Sequence, residues 1–139
     1  MPAGYSGTPL PQKLGVKPES TLVLVGAPVG WSIADLPPGV RVTTTLRGTP
    51  DVIVAFVRSE ADFAKRMDRL LAAVHDHAAL WMAWPRKAGG HVSDLTEQHF
   101  RDVLLPTGLV DNKVAAIDDT WSGLRFVYRV KDRAKSSRS

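Results

Sequence analysis

Cysteine is absent from this 139-residue chain. The absence excludes disulfides, thiolate zinc sites, iron–sulfur clusters and cysteine nucleophiles. Long apolar runs are missing as well, and no stretch approaches the roughly 20 apolar residues of a membrane-spanning helix. The opening residues hold no such run, so we expect no secretory signal peptide and a cytoplasmic location. The length and the apolar fraction of 44% fit one globular domain with a single core.

The net charge of +4 is concentrated at the C-terminal end. Five basic residues and one acid lie from Arg129 onward, whereas residues 1–128 contain 13 basic and 13 acidic residues. We expect residues 132–139 to form a disordered basic tail, which either adds solubility or binds nucleic acid weakly through its positive charge. The candidate nucleic-acid-binding residues are Lys131, Arg133, Lys135 and Arg138.

Short apolar runs along the chain predict six strands. Continuous runs are typical of strands covered on both faces, and the alternating run VRVTTTL indicates a strand nearer an edge. The last two runs are joined by DTWSG and predict an antiparallel hairpin. The runs are TLVLVG (21–26), VRVTTTL (40–46), DVIVAFV (51–57), ALWMAW (79–84), NKVAAID (112–118) and GLRFVYRV (123–130).

Two segments between these runs predict helices. In SEADFAKRMDRLLAAVH the apolar residues recur at helical spacing, and Ser59 with Asp62 forms a capping box. In SDLTEQHFRDVLL we expect Asp94 to be the cap and Glu97 the third helical residue.

Alternation of strands and helices predicts parallel strands joined by right-handed crossovers. The fold class is therefore α/β: a three-layer α/β/α domain over residues 21–131, with a mixed, mostly parallel sheet of about six strands that ends in a β-hairpin. Residues 1–20 contain several prolines and few apolar groups, so we expect an extended arm that packs on the body. The connections 26–40 and 46–51 are too short for full helices, so the first half of the architecture is reduced.

The order of elements from Asp51 to Val130 resembles the C-terminal half of the class I S-adenosylmethionine-dependent methyltransferase fold, which is Rossmann-like. The opening segment LVLVGAPVG resembles the first motif of that family and keeps two of its glycines, Gly26 and Gly30. The resemblance implies a cofactor cleft beside these glycines.

The same resemblance implies that the cofactor site is degenerate. Leu24 stands at the family's acidic position, and Pro28 replaces the middle glycine. The ribose-binding acid would fall near Thr43–Thr45, and the catalytic motif would fall at Val57–Ser59, where neither pattern is present. We therefore expect no bound cofactor.

A second resemblance covers nearly the whole chain. The segments YSGTPLPQKLGVK (5–17), SDLTE (93–97) and LVDNKVAAIDDTWSGLRFVYR (109–129) resemble a family of small bacterial proteins, common in actinobacteria, that is known as a conserved domain of unknown function. This resemblance implies no catalytic residues.

Ligands of open α/β sheets bind outside the carboxyl ends of the strands, and several candidate residues should gather there. Basic side chains and two helix starts could form an anion-binding crevice; alternatively Arg58 and Lys87 are solvated and Arg86 pairs with Asp94 or Glu97. Trp31 and Trp84 either stack on a planar ligand or plug an empty cleft. The candidate ligand-binding residues are Gly26, Gly30, Trp31, Arg58, Ser59, Trp84, Arg86, Lys87 and Asp94.

His75 and His77 are two residues apart, but no further ligand pattern accompanies them, so we expect no metal site. Three functional hypotheses remain. The first is a non-catalytic binding or regulatory protein that engages a protein partner or a small anionic ligand. The second is a residual S-adenosylmethionine-dependent or other group-transfer enzyme that uses Arg86, Lys87 and Asp94. The third is weak nucleic-acid binding through the tail.

Overall fold

Within residues 8–87 and 93–129, which the computed structural model describes, six strands form one sheet. Their order is β2-β1-β3-β4-β6-β5. The strands β1 to β4 run parallel, and β6 pairs antiparallel with both β4 and β5. The predicted mixed, mostly parallel sheet with a closing hairpin is confirmed. The strands are β1 (Thr21–Val25), β2 (Arg41–Thr43), β3 (Val52–Phe56), β4 (Ala79–Pro85), β5 (Leu109–Ala116) and β6 (Trp121–Tyr128).

The hairpin turn lies earlier than the sequence predicted. Strand β6 begins at Trp121, and the turn occupies residues 117–120. Asp118 fixes this turn, because its Oδ1 accepts the backbone N–H of Thr120 and that of Trp121, both at 2.8 Å. Gly123, predicted to lie both in the turn segment and at the start of the last strand, lies inside β6, where a Cβ would come within 3.0 Å of Trp81.

Three α-helices accompany the sheet in the described ranges: α1 (Leu10–Leu14), α2 (Glu60–Ala73) and α3 (Glu97–Leu104). Helix α2 begins as predicted, since Ser59 Oγ accepts the N–H of Asp62 at 3.1 Å. Helix α3 begins later than predicted, because its cap is Thr96, whose Oγ1 accepts the N–H of His99 at 3.1 Å. None of these helices is long and apolar enough to cross a bilayer.

The two faces of the sheet are covered differently. The face toward α2 and α3, here the helical face, receives Ile53 and Ala55 of β3. The opposite face, here the arm face, receives Val54 and Phe56 and is covered by α1 and by the irregular segment 26–40. All five residues of β3 are buried, as expected of a central strand between two layers.

Candidate binding site at the carboxyl ends of the strands

Gly26 follows β1 at the carboxyl end of the sheet and lies against β3. Its φ is +70°, and a Cβ at this position would come within 2.7 Å of the carbonyl oxygen of Phe56. Both the backbone conformation and the close approach require glycine. Gly30 also has a positive φ, of +79°, but a Cβ there would meet nothing within 4 Å. The structure therefore explains the first glycine by packing and the second by turn conformation alone.

The start of α2 is capped by side chains of this chain. Asp94 Oδ1 accepts the N–H of Glu60 at 2.8 Å, and Ser59 takes the N–H of Asp62. Asp62 Oδ2 in turn accepts the N–H of Arg58 at 3.0 Å. Two of the donors that would attract an anion to this helix start are thus engaged by Asp94 and Ser59, and Asp94 acts as the anion.

Three aromatic rings pack together on the arm face beside these strand ends: Trp31, Phe56 and Trp121, here the aromatic cluster. Trp31 meets Phe56 edge-on with ring centroids 4.9 Å apart, and Phe56 meets Trp121 at 5.0 Å. The indole N–H of Trp31 donates to Asp118 Oδ2 at 3.0 Å. These contacts hold Trp31 against the sheet.

Arg58 lies over this cluster. Its guanidinium carbon is 5.3 Å from the ring centroid of Trp121, a cation–π distance. Its Nη1 donates to the carbonyl oxygen of Gly26 at 3.4 Å, and the residue is exposed to solvent.

The remaining candidates do not meet at one point. Arg86 donates from Nη1 to the carbonyl oxygen of Asp118 at 3.1 Å, so its contact is with the hairpin turn and differs from the expected pairing with Asp94 or Glu97. Lys87 is exposed. Trp84 packs on Phe100 in the core of the helical face, with ring centroids 5.1 Å apart. Since Trp31 lies on the arm face, the two tryptophans can neither stack on one ligand nor plug one cleft together. Residues Lys131, Arg133, Lys135 and Arg138 lie outside the described residues.

A groove that sequence reasoning missed lies on the helical face, between the loop after β2 and helix α2. Its volume is about 880 Å³. We call it the cationic groove, because three of its lining side chains are basic and none is acidic among the residues described. The end of β1 closes the groove. The lining residues are Lys65, Arg66, Arg69, Thr44, Thr45, Leu46, Leu70, Ala72 and Ala73, with Val25, Gly26 and Gly48. The signal in the sequence was the basic residues at helical spacing on the polar side of α2.

Two solved structures share this arrangement of strands and helices. An S-adenosylmethionine-dependent methyltransferase from Aquifex aeolicus superposes with a TM-score of 0.56 at 13% identity, covering 83% of this chain and 85% of that chain. A ribosomal protein L11 methylase from Lactobacillus delbrueckii subsp. bulgaricus superposes with a TM-score of 0.55 at 12% identity, covering 86% and 75%. The chain has a methyltransferase-like fold.

Sequence comparison adds no family to this fold. No protein-family model matches the chain, and no curated protein matches it by sequence. Membership in the bacterial family described above therefore stays a prediction.

The ring of His75 contacts two backbone groups of this chain. Nε2 of His75 lies 2.8 Å from the carbonyl oxygen of Pro50, and Nδ1 accepts the N–H of His77 at 3.3 Å. In residues 8–87 and 93–129 no group of three or more His, Asp or Glu side chains could hold a metal ion.

Proposed function

We propose that this chain is a non-catalytic binding or regulatory protein with a methyltransferase-like fold, whose cofactor cleft is filled by its own side chains. The observation that carries this proposal is the position of Trp31. Its ring lies on Phe56 at the carboxyl ends of the strands, and its N–H is bonded to Asp118. A cleft filled in this way cannot hold a cofactor, and the same fold can then act as a scaffold that binds another molecule.

The chemistry of the neighbouring groups supports this proposal. Folds of this type bind the hydroxyl groups of a ribose with a carboxylate near the strand ends. Here Leu24 is buried in the sheet, and the side chains that approach Gly26 are Arg58 and Arg66. Arginine side chains only donate hydrogen bonds, so these two do not replace the carboxylate that accepts from the ribose hydroxyls. The residues present therefore do not fit this cofactor, and we derive no methyl transfer from them.

The positions of Arg86 and Asp94 favour binding over group transfer. A residual transferase would need these side chains to converge on one substrate. Arg86 instead holds the hairpin turn through the carbonyl oxygen of Asp118, and Asp94 caps α2 through the N–H of Glu60. Lys87 is exposed, so a small anion that binds at the carboxyl ends of the strands is a second candidate ligand.

Isothermal titration with S-adenosylmethionine and with S-adenosylhomocysteine tests the proposal. We expect no binding by the wild-type protein. The Trp31→Ala variant removes the plug, and we expect it to bind neither compound, because the carboxylate is still lacking. Affinity of the wild-type protein in the micromolar range would overturn the proposal. Binding by Trp31→Ala alone would show that the aromatic cluster closes the cleft, and it would contradict the argument that the remaining side chains do not fit the cofactor.

A further inference from the structure

The cationic groove is open, whereas the aromatic cluster fills the other side of the same strand end. Leu46 and Leu70 contribute apolar surface to the groove, and Ala72 and Ala73 leave space along the second half of α2. A volume of about 880 Å³ falls in the range of small-molecule sites. The groove therefore has the size and the mixed lining of a ligand site.

The positive charges of the groove come from one side of α2. Lys65 and Arg69 are four residues apart, so their Cβ atoms are neighbours on the helix surface, about 5–6 Å apart. Both side chains are exposed, and like charges at this spacing disfavour the helix when no anion accompanies them. Such a pair is well placed to hold two adjacent phosphate groups.

Arg66 adds a guanidinium group with a fixed orientation. Its Nε donates to Asp62 Oδ1 at 3.0 Å, and its Nη2 lies 3.5 Å from the position that a Cβ of Gly26 would occupy. Asp62 is the acidic group nearest this arginine, and its two oxygens are both bonded, to Arg66 and to the N–H of Arg58. The guanidinium carbon lies 3.4 Å from that same position, so the group packs against the glycine at the end of β1 and brings its positive charge to the groove.

Hydroxyl groups line the opposite wall. Thr44 and Thr45 follow the edge strand β2, and both are exposed at the groove. Threonine hydroxyls donate hydrogen bonds to phosphate oxygens and complement the charged wall without adding charge.

We propose that the cationic groove binds a phosphorylated small molecule of nucleotide size, with a diphosphate between α2 and the Thr44–Thr45 loop. The non-phosphate part lies on Leu46 beside Ala72 and Ala73. This inference rests on the proposed function as a binding protein and names the ligand class.

A longer polyanion would use more of the surface than this groove. A second space of about 560 Å³ lies beyond the same loop, shares Thr45 and Gly48 with the groove, and is lined by Arg41 and Arg47. A nucleic-acid strand would contact both spaces, whereas a nucleotide-sized molecule fits in the groove. The arginine pair Arg41 and Arg47 therefore provides a control with the same change in charge.

The experiment uses the full chain and four probes: ADP, inorganic pyrophosphate, adenosine and a short single-stranded RNA. Titrations are followed by amide chemical shifts and by calorimetry at low salt. The variants are Lys65→Gln with Arg69→Gln, and the control Arg41→Gln with Arg47→Gln. All four positions are exposed, so we expect the fold to be kept, which circular dichroism checks.

We expect ADP and pyrophosphate to bind and to shift amides of residues 44–48 and 65–73, while adenosine binds far more weakly. Loss of two charge-assisted contacts should lower the affinity for ADP at least about tenfold in the Lys65/Arg69 variant. The control variant should change this affinity by less than about twofold. Absence of ADP and pyrophosphate binding by the wild-type protein would overturn the inference. So would equal weakening by the two variants, or RNA binding that both variants weaken equally, since the surface would then be a nucleic-acid interface. These outcomes are independent of the S-adenosylmethionine titration, so either proposal can fail alone.

Discussion

Replacing Trp31 by phenylalanine removes one hydrogen bond and keeps an aromatic ring against Phe56. The lost bond joins the indole N–H to Asp118 Oδ2 at 3.0 Å. A hydrogen bond to a charged group contributes about 1.5–3 kcal/mol, and partial solvent access to both side chains places this one near the lower end. We expect Trp31→Phe to lower the free energy of unfolding by about 1.5 kcal/mol.

A larger truncation adds the ring contact to this loss. Trp31→Ala also removes the edge-to-face pair with Phe56, a contact of about 0.5–1.5 kcal/mol beyond the buried area. Full truncation of a buried aromatic residue costs about 3–5 kcal/mol, and Trp31 is half-buried, so we expect a loss of about 3 kcal/mol.

Asp118→Asn tests the partner of the indole. Asparagine keeps one acceptor oxygen, which can still hold the N–H groups of Thr120 and Trp121, but its amide nitrogen cannot accept from Trp31. The double variant Trp31→Phe with Asp118→Asn should therefore lose less than the sum of the single losses, by about 1 kcal/mol. The neighbouring exposed Asp119→Asn is the matched control.

The assay is urea unfolding followed by far-ultraviolet circular dichroism, which does not depend on tryptophan emission. Two-state transitions with unchanged m-values are required for the comparison. If the double variant equals the sum of the single variants to within about 0.3–0.5 kcal/mol, the two side chains are not coupled. The reasoning that Asp118 anchors Trp31 in the cleft would then be refuted.

Three further predictions concern other parts of the chain. Gly26→Ala should destabilise the fold by about 2 kcal/mol or more, because φ is positive and a Cβ would clash with the carbonyl oxygen of Phe56, and unfolding curves that match wild type would contradict this. Burial, followed by the charge of Asp76, raises the pKa of Tyr128 above its ordinary value of 10.0. The stability that this group contributes is thus present below pH 10 and is lost as pH rises through the folded-state pKa. Tyr128→Phe should therefore reduce the fall of the unfolding free energy between pH 9 and pH 12, and a pH dependence equal to that of the wild type would argue against it. Deleting residues 131–139 should abolish retention on a DNA column if the tail binds nucleic acid, and retention by the shortened chain would remove the tail from consideration.

The strands and α2 could be predicted because their signals are local. Continuous apolar runs mark β1 and β3. Ser59 caps α2 by accepting the N–H of Asp62, which is only three residues away in the sequence. These patterns depend on residues that are neighbours in sequence, and the tertiary structure agrees with them.

The start of α3 could not be predicted in the same way. Ser93, Asp94 and Thr96 are all good capping types within four positions. A long-range contact decides which of them caps α3, since Asp94 caps α2 instead by accepting the N–H of Glu60. Local sequence carries no information about that competition.

The candidate site likewise combines features that local sequence predicts with contacts that it does not predict. Arg58 and Ser59 lie at a strand end, as strand order predicts, but the bond from Trp31 to Asp118 joins residues 87 positions apart. The cationic groove likewise depends on the loop after β2 lying against α2, which follows from the order of the strands and not from any motif.

Gly26 explains why one strand end has two different faces. Its carbonyl oxygen accepts from Arg58, which covers the aromatic cluster on the arm face, while Arg66 approaches its Cα from the helical face. Any larger residue would displace the chain from Phe56 and separate these two arrangements. The arm face is closed because the segment 26–40 and α1 supply aromatic and apolar groups to it. On the helical face the groove beside β1 stays open, because the loop after β2 is too short to form a helix over it. The cavity that remains beside the carboxyl end of β1 is thus lined by three basic side chains, and the proposed anionic ligand rests on this charge.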